Sequence, residues 1–384
     1  MKYFLIAGEP SGDIHGAHLM HEIKQLDAGA DFWFTGGDLM EREGGRMIRH
    51  YRYMSFMGIM AVIANLHQVM TNFRLCKKAI LDYQPDVIFL IDYPGFNLRI
   101  ARWAKKKGFR VFMYVSPTVW AWKENRVKTI KKCIDRLFVV LPFEVDFYRR
   151  HHYEVYYTGN PVFDVVEDFK EKNDVSRFKE ENGLDERPVV ALLAGSRKQE
   201  IRHLLPVMLR ITSFFPDYQF VIAGSSSLPP EVYRPFLKDY PSVRIVYNQT
   251  YALLSNAFAA IVTSGTATLE TALFNVPEVV VYKMEWPTYL IGRPLVRLTY
   301  FSLVNLILNR MAVKELLQFR LFERLLEETR LLLNDASYRE SIYTAYKELR
   351  LLMQRGAYRR TAALAWEFLQ PEKENSSTCL PKTS

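Results

Sequence analysis

The chain has 384 residues, 49% of them hydrophobic, and a formal net charge of +9; the length suits two domains, and the composition excludes a disordered polypeptide. Its cysteines, Cys76, Cys133 and Cys379, stand far apart with no C-x-x-C spacing, which excludes a disulfide framework and a cysteine zinc site and fits a reducing cytoplasm. The basic excess predicts attraction to something anionic, whether nucleic acid, phosphorylated ligands or a membrane surface, although any single lysine is an ordinary solvated side chain.

The N-terminal MKYFLIAGEPSGD reads as a first strand over residues 3–7, too short for a signal-peptide core. No run reaches the roughly 18 apolar residues needed to cross a bilayer. The strand leads into a turn of small residues, with a helix beginning around Ile14. Gly8, Ser11, Gly12 and Asp13 form a candidate cradle for an anionic or sugar ligand; the competing reading is a helix cap by Ser11 or Asp13. The pattern matches neither G-x-G-x-x-G nor a Walker A loop.

Residues 51–63, around Met57, are apolar beyond a normal strand and run into an amphipathic pattern carrying Arg74, Lys77 and Lys78. This segment suits membrane contact, the floor of an acyl pocket or an ordinary buried helix. A strand over 87–91 ends at Asp92. An acid there faces the ligand crevice of an α/β domain, where desolvation raises its pKa and makes it a general base; a cap for the turn before Pro94 is the equal alternative. A strand over 111–115 carries Tyr114, and Ser116, Trp120 and Trp122 follow it, then Lys123 and Arg126. They suit an acyl-lipid acceptor bearing a phosphate, or interdomain packing, the usual fate of such aromatics. A strand over 137–140 closes the first series.

Residues 166–187 are rich in Glu, Lys and Asp and read as helix and linker. A second series of strands follows at 189–193, 219–223, 243–246, 259–262 and 279–282. The first ends at Gly195, Ser196 and Arg197, a turn made for a diphosphate. The fourth ends at Ser264, Gly265 and Thr266, another phosphate-type turn, with Glu270 placed to accept from ribose hydroxyls; helix capping by Ser264 or Thr266 is the alternative. After Ala312 the spacing predicts helices, including VKELLQ. The expected organisation is a domain over 1–165, a linker over 166–187, a domain over 188–345, a helical segment over 346–370 packing back on the domains, and a flexible tail over 371–384. Each domain is a doubly wound α/β unit, and the ligand crevice is expected in the cleft between them.

Taken in order, G-E-P-S-G-D at Gly8, M-G-I at Met57, I-D-Y-P-G-F-N at Ile91, Y-V-S-P-T-V-W-A-W at Tyr114 and L-P-F-E at Leu141 form one series of motifs. G-N-P at Gly159, G-S-R at Gly195, S-G-T-A-T-L-E at Ser264, S-L-V-N-L at Ser302 and V-K-E-L-L-Q at Val313 continue it. Over nearly its whole length the chain resembles the lipid-A-disaccharide synthase family. The resemblance implies a GT-B fold of two Rossmann-like domains and an inverting transfer from UDP-2,3-diacylglucosamine to 2,3-diacylglucosamine 1-phosphate. It implies that Asp92, Arg197 and Asn305 serve catalysis and UDP binding. It leaves Gly8, Ser11, Gly12, Asp13, Met57, Tyr114, Ser116, Trp120, Trp122, Lys123 and Arg126 as the acceptor and lipid set.

No cofactor or metal is expected, since no Asp-x-Asp or His cluster appears. A peripheral position on the cytoplasmic face of the inner membrane is expected, as is a possible homodimer through the C-terminal helices. No nucleic-acid partner is expected, because no helix-turn-helix, zinc-finger or RNP signature is present. The tail over 371–384 and Gly95, where some relatives carry another acid, depart from parts of the family pattern. A MurG-like transferase or a UDP-N-acetylglucosamine 2-epimerase shares S-G-T and the following Glu, but Y-V-S-P-T-V-W-A-W speaks against both.

Overall fold

The computed structural model describes residues 1–54, 65–225, 227–283 and 299–370. Packing divides the chain into two units: Met1–Pro117 with Val127–Val139 and Ala357–Ser384, and Thr118–Arg126 with Val140–Gly356. The division differs from the expected one. Residues 140–165 count with the second unit, in whose core Leu141 is buried.

In the first unit the strands are β1 (Lys2–Ala7), β2 (Asp31–Gly36), β3 (Arg46–His50), β4 (Val87–Ile91), β5 (Val111–Tyr114) and β6 (Arg136–Val139). They lie in the order β3-β2-β1-β4-β5-β6, all parallel. Every residue of β4 and β5 is buried, as strands covered on both faces require. The helix Ala357–Leu369 packs on the helix Pro10–Leu26. There Tyr358 hydrogen-bonds His15 Nδ1 at 2.9 Å and stacks on His18 at 4.7 Å, and burial pushes the His15 imidazole down to about 4.

The short strand β7 (Tyr156–Tyr157) lies in the second unit. The second sheet holds β8 (Val189–Leu193), β9 (Gln219–Gly224), β10 (Arg244–Tyr247), β11 (Ala257–Thr263), β12 (Glu278–Tyr282) and β13 (Lys314–Leu317). Their order is β10-β9-β8-β11-β12-β13, again parallel. Both sheets reverse strand order once, at β1/β4 and at β8/β11, and such a reversal opens a ligand crevice at the strands' carboxyl ends.

Two expectations are corrected. The helix expected from Ile14 begins at Pro10, whose fixed φ and missing N–H suit the first helical position, with Glu9 extended before it. The VKELLQ segment holds a strand, β13, rather than a helix. A short apolar run cannot distinguish the two periods, and here pairing with β12 decides.

At the start of β12, Glu278 is fully buried. Its Oε1 accepts from Tyr346 Oη at 3.4 Å, while Oε2 has no partner. Burial, reinforced by the charge of Glu315, holds its carboxyl well above the ordinary range. The native state therefore keeps a proton that the unfolded chain releases above about 4.3. Stability is greatest below that pH and falls as pH rises toward the native value. Glu278→Gln is expected to shrink the difference between urea midpoints at pH 5 and pH 8, the gain appearing at pH 8; an undiminished difference would assign the pH dependence elsewhere.

Candidate functional site

In the first unit, β1 ends at Ala7 and β4 at Ile91, on the two sides of the strand-order reversal. Asp92 and Tyr93, which follow β4, are both left-handed, with φ of 43° and 46°, a conformation costing about 1–2 kcal/mol per residue. The surroundings hold it. Asp92 N donates to Tyr114 O at 3.1 Å, Asn97 Nδ2 donates to Asp92 O at 2.8 Å, and Tyr93 Oη donates to Met54 O at 2.7 Å. The Tyr93 ring lies so close over Gly8 that a Cβ there would stand 2.2 Å from it. Only glycine fits this turn.

Asp92 is half-buried. Burial, then the neighbouring charge of Glu9, pushes its carboxyl up to about 6 against the opposing Tyr93 amide. Burial raises Glu9 as well. The structure thus pairs Asp92 with an acid that sequence reasoning passed over; the signal was its place directly after Gly8 at the carboxyl end of β1.

The other first-unit candidates divide. Asp13 is buried and its carboxylate accepts from Gly37 N at 2.7 Å, Leu39 N at 3.1 Å and Met40 N at 3.1 Å. These bonds tie it to the amino end of the helix Asp38–Arg42, so it shapes the turn. Gly12 is buried against Ala7, while Ser11 is exposed on the first helical turn. Tyr114 is buried beside His15 and Tyr358, and the buried Ser116 donates to Pro117 O at 3.0 Å. Met57 lies outside the described residues.

In the second unit, Trp120 meets Phe143 edge-on at 5.0 Å and packs against that unit's own core. Trp122 is 46% exposed, with Lys123 Nζ 4.1 Å and the Arg126 guanidinium 5.8 Å from its ring centre. These three keep faces that a ligand can reach.

A cavity of about 550 Å³ opens at the carboxyl ends of β8, β9 and β11. It brings together Gly195, Ser196, Arg197, Ser264, Gly265, Thr266 and Glu270. Gly195 has φ +107°, and a Cβ there would sit 2.3 Å from Glu200 Oε2. That oxygen accepts from Ser196 N at 3.0 Å and Arg197 N at 3.2 Å, so the turn already presents two amides to an anion. Gly265, with φ +149° and no atom near its Cβ position, opens the amino end of the helix Thr266–Leu273 onto the cavity. Together the two turns suit a diphosphate. Ser264 Oγ is committed to Phe301 O at 2.7 Å. One oxygen of Glu270 accepts from Tyr251 Oη at 2.7 Å, and burial raises the Glu270 carboxyl.

Asn305, expected at the nucleotide, is fully buried and does not line this cavity. Its Nδ2 donates to Val313 O and to Glu315 Oε1, both at 2.8 Å. Its Oδ1 accepts from Ala312 N at 2.7 Å and Val313 N at 3.0 Å. Glu315 also binds the amides of Phe301 and Ser302, and Phe301 holds Ser264. Asn305 therefore supports the cavity wall from behind. Gly224, Ser225, Asn248 and Thr250 line the cavity and were missed; the glycine-serine run after β9 was the available signal. Among the described residues, no group of three or more His, Cys, Asp or Glu is arranged to hold a metal ion.

The model of the lipid-A-disaccharide synthetase family matches residues 3–368. A lipid-A-disaccharide synthase of Syntrophus aciditrophicus is 37% identical over 375 residues, covering 95% of this chain and 97% of the relative. One from Coxiella burnetii is 35% identical over 357 residues, covering 92% and 94%. Among solved structures, the UDP-GlcNAc 2-epimerase of Neisseria meningitidis bound to UDP-GlcNAc superposes with a TM-score of 0.62 at 16% identity, covering 96% of this chain and 99% of that one. The glycotransferase of kitacinnamycin gives 0.63 at 14% identity, with the same coverage. These structural likenesses establish the fold, two parallel-sheet α/β domains of GT-B type.

Asn305→Ala and Arg197→Ala are expected to separate support from contact. The first strips four hydrogen bonds, three of them buried, and should lower stability by about 3 kcal/mol, seen as a fall of several degrees in Tm. The Arg197 side chain is 74% exposed, so its truncation should leave Tm unchanged while weakening anion binding. Equal Tm values for the two variants would contradict this division.

Proposed function

The chain belongs to the lipid-A-disaccharide synthase family, and from that premise we propose how its residues divide the chemistry. The enzyme is a glycosyltransferase that moves 2,3-diacylglucosamine from UDP to 2,3-diacylglucosamine 1-phosphate, forming a β-1,6 disaccharide and releasing UDP. Its substrates are a nucleotide sugar and an acylated sugar phosphate.

Asp92 is the general base. It takes the proton of the acceptor 6-hydroxyl as that oxygen forms its bond to the sugar's anomeric carbon. The bond from that carbon to the diphosphate breaks on the opposite face, and its electron pair leaves with UDP. A single displacement inverts the anomeric centre. The observation that carries this reading is the Asp92 carboxyl raised to about 6 at the strand-order reversal, ionised at neutral pH yet basic enough to accept a proton. In the second unit, Ser196, Arg197 and the turn at Gly265 and Thr266 receive the diphosphate, and Glu270 takes the ribose hydroxyls. For the diphosphate to reach the amides of Ser196 and Arg197, Glu200 must yield them. The first-unit turn at Gly8, Ser11 and Gly12 receives the acceptor sugar, while Trp122, Lys123 and Arg126 take its acyl and phosphate parts.

Among the described residues, no helix is long and apolar enough to cross a membrane. The net charge of +9, the exposed Trp122 flanked by cations and the acyl chains of both substrates support peripheral attachment to the anionic inner face of the inner membrane. A homodimer through the C-terminal helices is also proposed, supported by Leu351, 86% exposed at the end of the helix Ala336–Leu352.

Asp92→Asn is expected to cost roughly a hundred- to ten-thousand-fold in kcat with UDP binding retained; an active variant would discard Asp92 as the base. The native kcat/KM should rise with pH through about 6 as Asp92 ionises. Glu9→Gln should move that limb to lower pH, because removing the neighbouring negative charge eases ionisation. Flotation with vesicles containing anionic phospholipid should carry the protein upward at low salt and release it at high salt, whereas protein left at the bottom under both conditions would rule out the attachment.

A further inference from the structure

The Glu270 carboxylate does not hang freely in the nucleotide cavity. Glu270 stands one turn into the helix Thr266–Leu273, and Tyr251 Oη donates to one of its oxygens at 2.7 Å. No other hydrogen bond to that carboxylate occurs among the described residues. Tyr251 is itself fixed. It sits in the first turn of the helix Thr250–Ser255 after β10, with the Phe169 ring 5.4 Å away, edge to face, and the Phe274 ring 5.2 Å away at a tilt. Its ring is absent from the cavity wall, which Glu270 forms.

We propose that Tyr251 is a positioning residue for the donor nucleotide: its hydroxyl pins one oxygen of Glu270, turning the other toward the two ribose hydroxyls. The proposal rests on the assignment of Glu270 to the ribose. A carboxylate free to rotate loses side-chain entropy each time a diol binds, whereas one already held at a single oxygen has lost it on folding. A second consequence is chemical. The phenol's hydrogen bond opposes the upward pull of burial on the Glu270 carboxyl, favouring the acceptor form to which the hydroxyls of a diol can donate.

The test is calorimetric titration of the full chain with UDP, 2′-deoxy-UDP and 3′-deoxy-UDP, for the native protein and for Tyr251→Phe. Phenylalanine keeps the ring against Phe169 and Phe274 and removes only the hydroxyl, and a Tm measurement checks that the variant is folded. The native protein is expected to prefer UDP over the deoxy nucleotides roughly tenfold, and the variant to lose roughly five- to tenfold in UDP affinity while binding the deoxy nucleotides as before. In turnover, KM for the nucleotide sugar should rise with kcat nearly unchanged. If the variant weakens all three nucleotides equally, or retains the native preference, Tyr251 does not position Glu270. If the native protein itself shows no preference, the ribose assignment of Glu270 falls first.

Discussion

Parallel strands joined through helices cross over with one hand, and that restriction decides where this protein can hold a ligand. Wherever strand order reverses, the connections leaving two neighbouring strands depart to opposite faces of the sheet. A gap is left at their carboxyl ends that no local packing closes. The chain makes this reversal twice, at β1/β4 and at β8/β11. At each it spends its small and strained residues: Gly8, Asp92 and Tyr93 in one unit, Gly195 and Gly265 in the other. Part of the chain's left-handed backbone thus stands where backbone can approach a ligand.

Carboxylates carry most of the functional differentiation, and their surroundings set what each does. Asp92 is made basic by burial beside a second acid. Asp13 and Glu315 are locked to backbone amides and fix loops. Glu200 occupies amides that suit an anion, and burial in the core holds the Glu278 carboxyl well above its ordinary range. Residue type says little here; what a carboxylate accepts from, and how much water it has lost, says nearly everything.

The central strands were legible because a parallel strand covered on both faces is a continuous apolar run with turn residues after it. The edges were harder. Neither β2 nor β3 is wholly buried, β3 not at any residue, so their sequences lack that signature, and β13 is too short to reveal its period. At the candidate site, the turns after β1, β4, β8 and β11 were found because glycine, hydroxyl and acid follow directly on a strand end. What could not be read was the direction of individual side chains. Asn305 and Asp13 stand in recognisable motifs, but one faces a buried loop and the other a helix end, and both outcomes depend on partners distant in sequence.

The helix Ala357–Leu369 bears on how the molecule is made. It belongs to the first unit, yet the whole of Val140–Gly356 separates it from the rest of that unit in the chain. On the ribosome, where synthesis proceeds at about 5–20 residues per second, the second unit is complete before this helix emerges. Until then the face of the helix Pro10–Leu26 that receives Tyr358 is left uncovered. The unit that begins first is finished last, and a chain whose synthesis stops at Gly356 carries all of the second unit joined to a first unit that lacks its last helix.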